Sequence, residues 1–214
     1  MSGSQNFFSQ DGQSKSDQEA NIRQVIDYIE TQHDLWNEIL TPSASSSATG
    51  SLVNAVAGKL IADVFDLSDI GVDEAERTAT LLSKVEKLDD LFVQKPNNGS
   101  NNGNGVRIPM TSQFADKWMK MKFLSEVLQS NLKEIKYLWF ESDLSLYFTS
   151  DEVVELMNLS FQMNANVRAA IREIKENPAP RGEIAFDWLL DLVWNIESLA
   201  GGEWEYPVLL IVGS

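Results

Sequence analysis

The sequence predicts an all-α fold, a helical bundle of about seven helices. Three observations predict it. Apolar residues recur at steps of three and four along most of the chain. No segment before the last residues alternates as a half-buried strand does. Residues 148–153, FTSDEV, carry a full helix-start signature. Thr149 is placed to cap with its hydroxyl and Glu152 to reach back to the Thr149 backbone. Phe148 and Val153 are placed to close a hydrophobic staple around that cap.

The elements follow in order. Residues 1–17 are rich in Ser, Gln, Gly and Asp and are expected to be a disordered segment before a helical domain over 18–200. Ile22, Val25, Ile26, Ile29, His33, Trp36 and Leu40 mark a first helix over 18–40, which the polar run TPSASSS is expected to end. Val53, Val56, Leu60 and Val64 mark a second over 50–66. Asp73, with Glu76 three residues on, is placed to cap a third, whose stripe is Thr78, Leu81, Leu82, Val85, Leu88 and Phe92. An Asn- and Gly-rich run follows and predicts a flexible loop over 95–107.

The longest stripe comes next: Phe114, Trp118, Met121, Leu124, Leu128, Leu132, Ile135 and Trp139. It predicts one helix of about seven turns. The helix opened by FTSDEV buries Val154, Met157 and Phe161, and Asn164 or Asn166 restarts the chain as a helix carrying Val167, Ala170, Ile171 and Ile174. NPAPRG stops that helix, and Ala185, Trp188, Leu192, Ile196 and Leu199 mark a final one. Residues 201–214 form a tail of undefined state after Gly201-Gly202.

Composition narrows the function. A net charge of −15 repels phosphate backbones and anionic lipid, so no nucleic-acid partner is expected. The chain has no cysteine, which removes thiol nucleophiles and zinc–thiolate sites, and His33 is its one histidine. Glu30 and His33 form one Glu-x-x-His pair, whereas di-iron bundles use two, so no metal is expected. Asp89-Asp90, Asp151-Glu152 and Glu155 read as helix ends and solvated faces, not as a carboxylate pair across a cleft. The glycines of NNGSNNGNG lack the strand, helix and lysine of a phosphate loop. No catalytic or cofactor-binding constellation emerges, and a non-enzymatic role is expected. No apolar run reaches the roughly 18 residues of a membrane span, and the N-terminus lacks the order of a signal peptide.

Partner-binding candidates remain. Lys117, Lys120 and Lys122 make the long helix basic in an acidic chain, which suits an acidic partner surface, although lysine stems also cover apolar surface on ordinary solvated faces. Arg168 and Arg172 lie four apart on the helix after NAN. A helix-turn-helix reading of that pair conflicts with the net charge. Trp204 lies beyond the Gly-Gly break among acids and is a candidate peg.

Four blocks in order also carry a resemblance. They are LWNEILTPS, GSLVNAVAGKLIADVFDLSDIGVDEAERTATLL, FADKWMKMKFLSEVLQSNLKEI and LSLYFTSDEVVELMNLSFQMNANVRAAIREIK. Over roughly residues 20–176 the chain resembles the C-terminal region of the Zeste-White ten family, a subunit of the Dsl/NRZ tethering complex. The resemblance implies the end of a CATCHR-type tether rod without catalysis. It implies a peripheral location at the endoplasmic reticulum and a role in retrograde Golgi-to-ER transport. The partner it implies is a Sec-thirty-nine/NAG-like subunit or Rod, with SNAREs and coatomer vesicles engaged indirectly. The same family implies an alternative as a kinetochore and mitotic checkpoint scaffold. It also implies that the chain is a piece of a longer protein, and the tail after Pro178 departs from its pattern.

Overall fold

The polar run ends the first helix, as expected, and also starts the second. Thr41 is extended, and its Oγ1 accepts the backbone N–H of Ala44 at 3.4 Å. Pro42 then occupies the first helical turn, where its missing N–H costs nothing. Helix α2 (Pro42–Phe65) therefore begins a full two turns earlier than its apolar period suggests. Its first turns are small and polar, and they bury Ser45, Thr49 and Gly50 against α1 (Lys15–Ile39) and the chain at Phe114. Ser45 donates to Asn37 Oδ1 at 2.7 Å, and Thr49 Oγ1 lies 3.0 Å from His33 Nδ1.

A computed structural model describes residues 6–8, 15–93 and 109–180. The all-α expectation holds: eight α-helices and two short 3-10 segments make up the regular structure of the described residues, apart from one isolated β-bridge. After α2 come α3 (Val72–Val85), a 3-10 turn over Glu86–Phe92, and a second over Thr111–Gln113. Then follow α4 (Trp118–Gln129), α5 (Leu132–Phe140), α6 (Leu144–Tyr147), α7 (Ser150–Ser160) and α8 (Ala165–Glu176). Helix α4 is the centre. It packs most extensively on α3 and also meets α2, α6 and α7, while α8 closes against α5 and α7. One apolar cluster runs from Phe8 to Ile174 through every α-helix.

Three further expectations change. The third helix starts at Val72 with Gly71 as its cap, so Asp73 sits inside the first turn, where the helix dipole favours a carboxylate. The long helix over 114–139 is broken. Ser130 and Asn131 are extended, and Asn131 Oδ1 accepts from the N–H groups of Lys133 and Glu134 while Glu134 accepts from Asn131 N–H at 2.8 Å. The stripe stays buried across this break, with Leu128, Ile135 and Trp139 all inside. Residues 6–8 and 15–17, within the segment expected to be disordered, are ordered. Phe8 is buried, Phe7 N–H donates to Asp63 Oδ2 at 3.1 Å, and Gln18 holds the Phe7 carbonyl.

The expected loop at 95–107 and the final helix at 183–200 lie outside the described residues. The flanks of that loop meet: Val93 bridges Pro109, and Met110 N–H donates to the Phe92 carbonyl at 3.2 Å.

The Thr149 signature forms as read. Glu152 N–H donates to Thr149 Oγ1 at 3.3 Å and Thr149 N–H to Glu152 Oε2 at 2.9 Å, with Phe148 and Val153 both buried. Thr149→Ala is expected to cost ~1 kcal/mol, and Thr149→Ser much less, since serine caps as well. Urea unfolding of the two variants checks this; equal losses would show that the hydroxyl is not what caps α7.

Candidate partner-docking surface

The candidate cations come from two places, the basic helix α4 and the arginines of α8. Lys117 caps the start of α4 and is exposed. Its backbone N–H donates to Asn54 Oδ1 of α2 at 2.9 Å, and its ammonium lies close over Gly58. Lys120 turns the other way. Its Nζ donates to Glu152 Oε1 at 2.5 Å and sits 4.9 Å from the centre of the Phe148 ring. Lys122 donates to Asp89 Oδ2 at 2.8 Å and lies 3.7 Å from Glu86. Two of the three lysines are thus committed to acids of the same chain, 32 and 33 residues away in sequence.

Asp89 is the residue that sequence reading placed on a solvated face. Its side chain is instead 15% exposed. One oxygen accepts from Thr111 Oγ1 at 2.5 Å and from Trp118 Nε1 at 2.7 Å, and the other from Lys122. It ties both 3-10 turns to α4, across residues 94–108 of the sequence, which form one continuous segment. Nothing in local spacing marks this role, because all three partners come from beyond that segment.

These surroundings set the charges. Burial, the strongest influence on Glu86, raises its pKa above the usual carboxylate value, with Lys122 opposing. Burial works to lower the pKa of Lys122, but the hydrogen bond and charge of Asp89, aided by Glu86, hold it raised. For Glu152, burial pushes upward, yet the Lys120 hydrogen bond and the Thr149 cap together leave its pKa lowered. A depressed carboxylate stabilises the fold above its unfolded value and loses that contribution as pH falls through the folded one. Glu152→Gln keeps the capping box but removes the ion pair. It is expected to destabilise by up to about 1 kcal/mol at neutral pH. The difference should shrink as pH falls below the ordinary value of 4.5 and vanish below the lowered folded value. Urea titrations of both proteins across that range test this, and a pH-independent gap would contradict it.

Helix α8 presents Arg168 and Arg172 on its exposed side, while Val167, Ala170 and Ile174 face inward. Asn164 fixes its start by accepting from the N–H groups of Asn166 and Val167 at 2.9 and 3.0 Å. Its end is pinned by Trp139, whose Nε1–H donates to the Asn177 carbonyl at 3.0 Å. Trp204 lies outside the described residues. Among the described residues, no group of three His, Asp or Glu side chains is placed to hold a metal, and no helix is long and apolar enough to cross a membrane.

The family model described as the ZW10 C-terminal helical domain matches residues 20–174. The chain belongs to this family. The ZW10 match closes over the helical core, with buried Ile22 just inside its first residue and buried Ile174 as its last. Among curated proteins, the chain is 27% identical over 157 residues to the centromere/kinetochore protein zw10 homolog of Rattus norvegicus. It is 26% identical over 155 residues to centromere/kinetochore protein zw10 of Drosophila pseudoobscura pseudoobscura. Each alignment covers 72% of this chain and 20% of the relative, so the chain spans about a fifth of the length of the curated relatives it matches. The ZW10 helical domain is therefore the part that these helices build, with α4 at its centre.

Proposed function

We propose that this ZW10-family domain is a non-enzymatic scaffold that works by docking onto another helical subunit. The family match over residues 20–174 carries this reading. In the finer form, the chain serves an ER-associated tethering complex in retrograde Golgi-to-ER transport and docks a Sec-thirty-nine/NAG-like subunit. A second reading, as a kinetochore scaffold docking a Rod-like subunit, draws support from the centromere/kinetochore names of its relatives.

The contact proposed is the basic one, and the ion pairs narrow how it is probed. Reversing Lys120 or Lys122 would break internal pairs, so any loss of binding would be confounded with loss of structure. Lys117, Arg168 and Arg172 are exposed and appear in no salt bridge among the described residues. The triple variant Lys117→Glu, Arg168→Glu, Arg172→Glu is expected to weaken capture of a purified Sec-thirty-nine-like subunit by roughly tenfold or more. Trp204→Ala in a parallel arm tests the aromatic peg. Capture of a Rod-like subunit alone would favour the kinetochore reading. Capture of neither by the unaltered chain would reject the scaffold proposal.

A further inference from the structure

Between residues 2 and 18 the only large apolar side chains are Phe7 and Phe8, and the fold engages both. Phe8 is 3% exposed within the core cluster, and Phe7 packs edge-on against it with ring centroids 5.1 Å apart. The polar atoms around the rings are matched one by one. Asn6 Nδ2 donates to the Asp63 carbonyl at 2.8 Å and to Asp66 Oδ2 at 3.3 Å. That carbonyl lies in the last turn of α2, where a helix leaves its acceptors without partners of its own. Phe7 N–H donates to Asp63 Oδ2 at 3.1 Å, and Gln18 Nε2 donates to the Phe7 carbonyl at 3.0 Å. Asn6 Oδ1 turns back to accept Phe8 N–H at 2.8 Å, which makes an Asx turn. The asparagine is thus used twice, once to shape the segment and once to be read by α2.

We infer that these contacts form a docking socket for a short peptide, filled in cis by residues 6–8, whose ligand on a partner is an exposed segment carrying asparagine followed by two aromatic residues. The occupant of that chemistry is already seated. Its contacts fall on three consecutive residues, so recognition does not require that the segment belong to the same chain. The wall formed by Asp63 and Asp66 lies inside the stretch that matches the ZW10 domain, whereas residues 6–8 lie outside it. Asp63 is a fixed acceptor, 5% exposed, with Lys59 Nζ donating to both its oxygens. Aspartate in the first position would keep the Asx turn but set an oxygen against the Asp63 carbonyl and the Asp66 carboxylate. The socket therefore selects asparagine against its nearest isostere. Because residues 6–8 are tethered, their effective concentration is high, and a partner's segment has to displace them before it docks. This goes beyond the scaffold reading and is independent of the lysines and arginines above.

The test uses the full chain and a fluorescent peptide SQNFFSQ, residues 4–10, with binding read by anisotropy. Phe7→Ser with Phe8→Ser in the chain opens the socket. The opened chain should bind the peptide, and the unaltered chain should bind it roughly tenfold or more weakly, since its own segment competes. The peptide should also raise the melting temperature of the opened chain. Peptides carrying Asn6→Asp or Phe8→Ala should bind the opened chain roughly tenfold or more weakly than the parent peptide. Asn6→Asp in the chain opens the socket by a second route that leaves both rings in place, and it should likewise improve peptide binding over the unaltered chain. Equal binding of the asparagine and aspartate peptides would overturn the proposal, because the contacts described would then not be what is read. A folded opened chain that binds no peptide would overturn it too. So would an opened chain that stays unfolded even with peptide, because residues 6–8 would then be a permanent part of the core. If unaltered chains dimerise in sedimentation and opened chains do not, the socket serves a second copy and the partner proposal falls.

Discussion

Trp118→Ala is expected to destabilise the domain by roughly 3–5 kcal/mol, a large fraction of what holds most domains folded. Trp118 is 1% exposed at the start of α4, and its ring is among the largest fully buried side chains. Truncation removes the ring's packing, leaves a cavity in the most connected helix, and takes one donor from Asp89. The two effects separate. Trp118→Phe keeps much of the ring and removes the N–H, so it should lose about 1.5–3 kcal/mol, the worth of a hydrogen bond to a charged acceptor, with a smaller cavity cost added. Asp89→Asn should then cost less in the Trp118→Phe background than in the unaltered chain, because the bond it weakens is already gone. Urea unfolding followed by circular dichroism measures all five proteins, the unaltered chain included. A loss below about 1 kcal/mol for Trp118→Ala would be too small for a buried indole and would contradict the packing described.

The stripes that predicted the helices were legible because burial and helical period coincide in them. All six residues of the stripe from Thr78 to Phe92 are buried, even though its last turns are 3-10. Legibility failed where the two part company. The first turns of α2 bury Ser45, Thr49 and Gly50, so close packing is made there by small residues and hydrogen bonds, and no apolar period exists to read. The break at Ser130-Asn131 carries a readable Asn-x-x-Glu cap, but the stripe resumes in phase on α5 and conceals it. The candidate surface was the least legible part. Lys117, Lys120 and Lys122 look alike in sequence. Only tertiary structure brings Glu152 to the second and Asp89 to the third, and leaves Lys117 exposed beside α2. The stripe on α1 was half read. Val25 was assigned to the same face as Ile22 and Ile29, whereas it is 37% exposed and they are buried.

Gly50→Ala should reverse the sign that helix propensity alone assigns to it. Within a free helix, alanine in place of glycine stabilises by roughly 0.5–1 kcal/mol. Gly50 lies inside α2, in a helical conformation that alanine adopts without strain, so its backbone gives no reason for glycine. Space does. A β-carbon there would run into Phe114 Cβ, and would meet the Phe114 carbonyl oxygen at 2.5 Å and its carbonyl carbon at 2.9 Å. Two of these atoms belong to the main chain, so no rotamer change relieves the clash. Phe114 is itself held on both sides. Its N–H donates to the Thr111 carbonyl at 3.0 Å, and its ring stacks on Phe92 with centroids 5.8 Å apart. Admitting one methyl therefore means moving α2 away from the segment that leads into α4, and loosening Asn54's hold on Lys117 one turn further along. Overpacking of this kind costs about 1–3 kcal/mol and outweighs the propensity gain. Gly58→Ala is the internal control. Its β-carbon would meet Lys117 Nζ at 2.8 Å, the far end of a flexible side chain that can swing into solvent. That variant should be neutral or slightly stabilising. If thermal unfolding ranks Gly50→Ala at or above the unaltered chain, α2 and Phe114 do not approach as closely as described, and the small polar start of α2 needs another explanation.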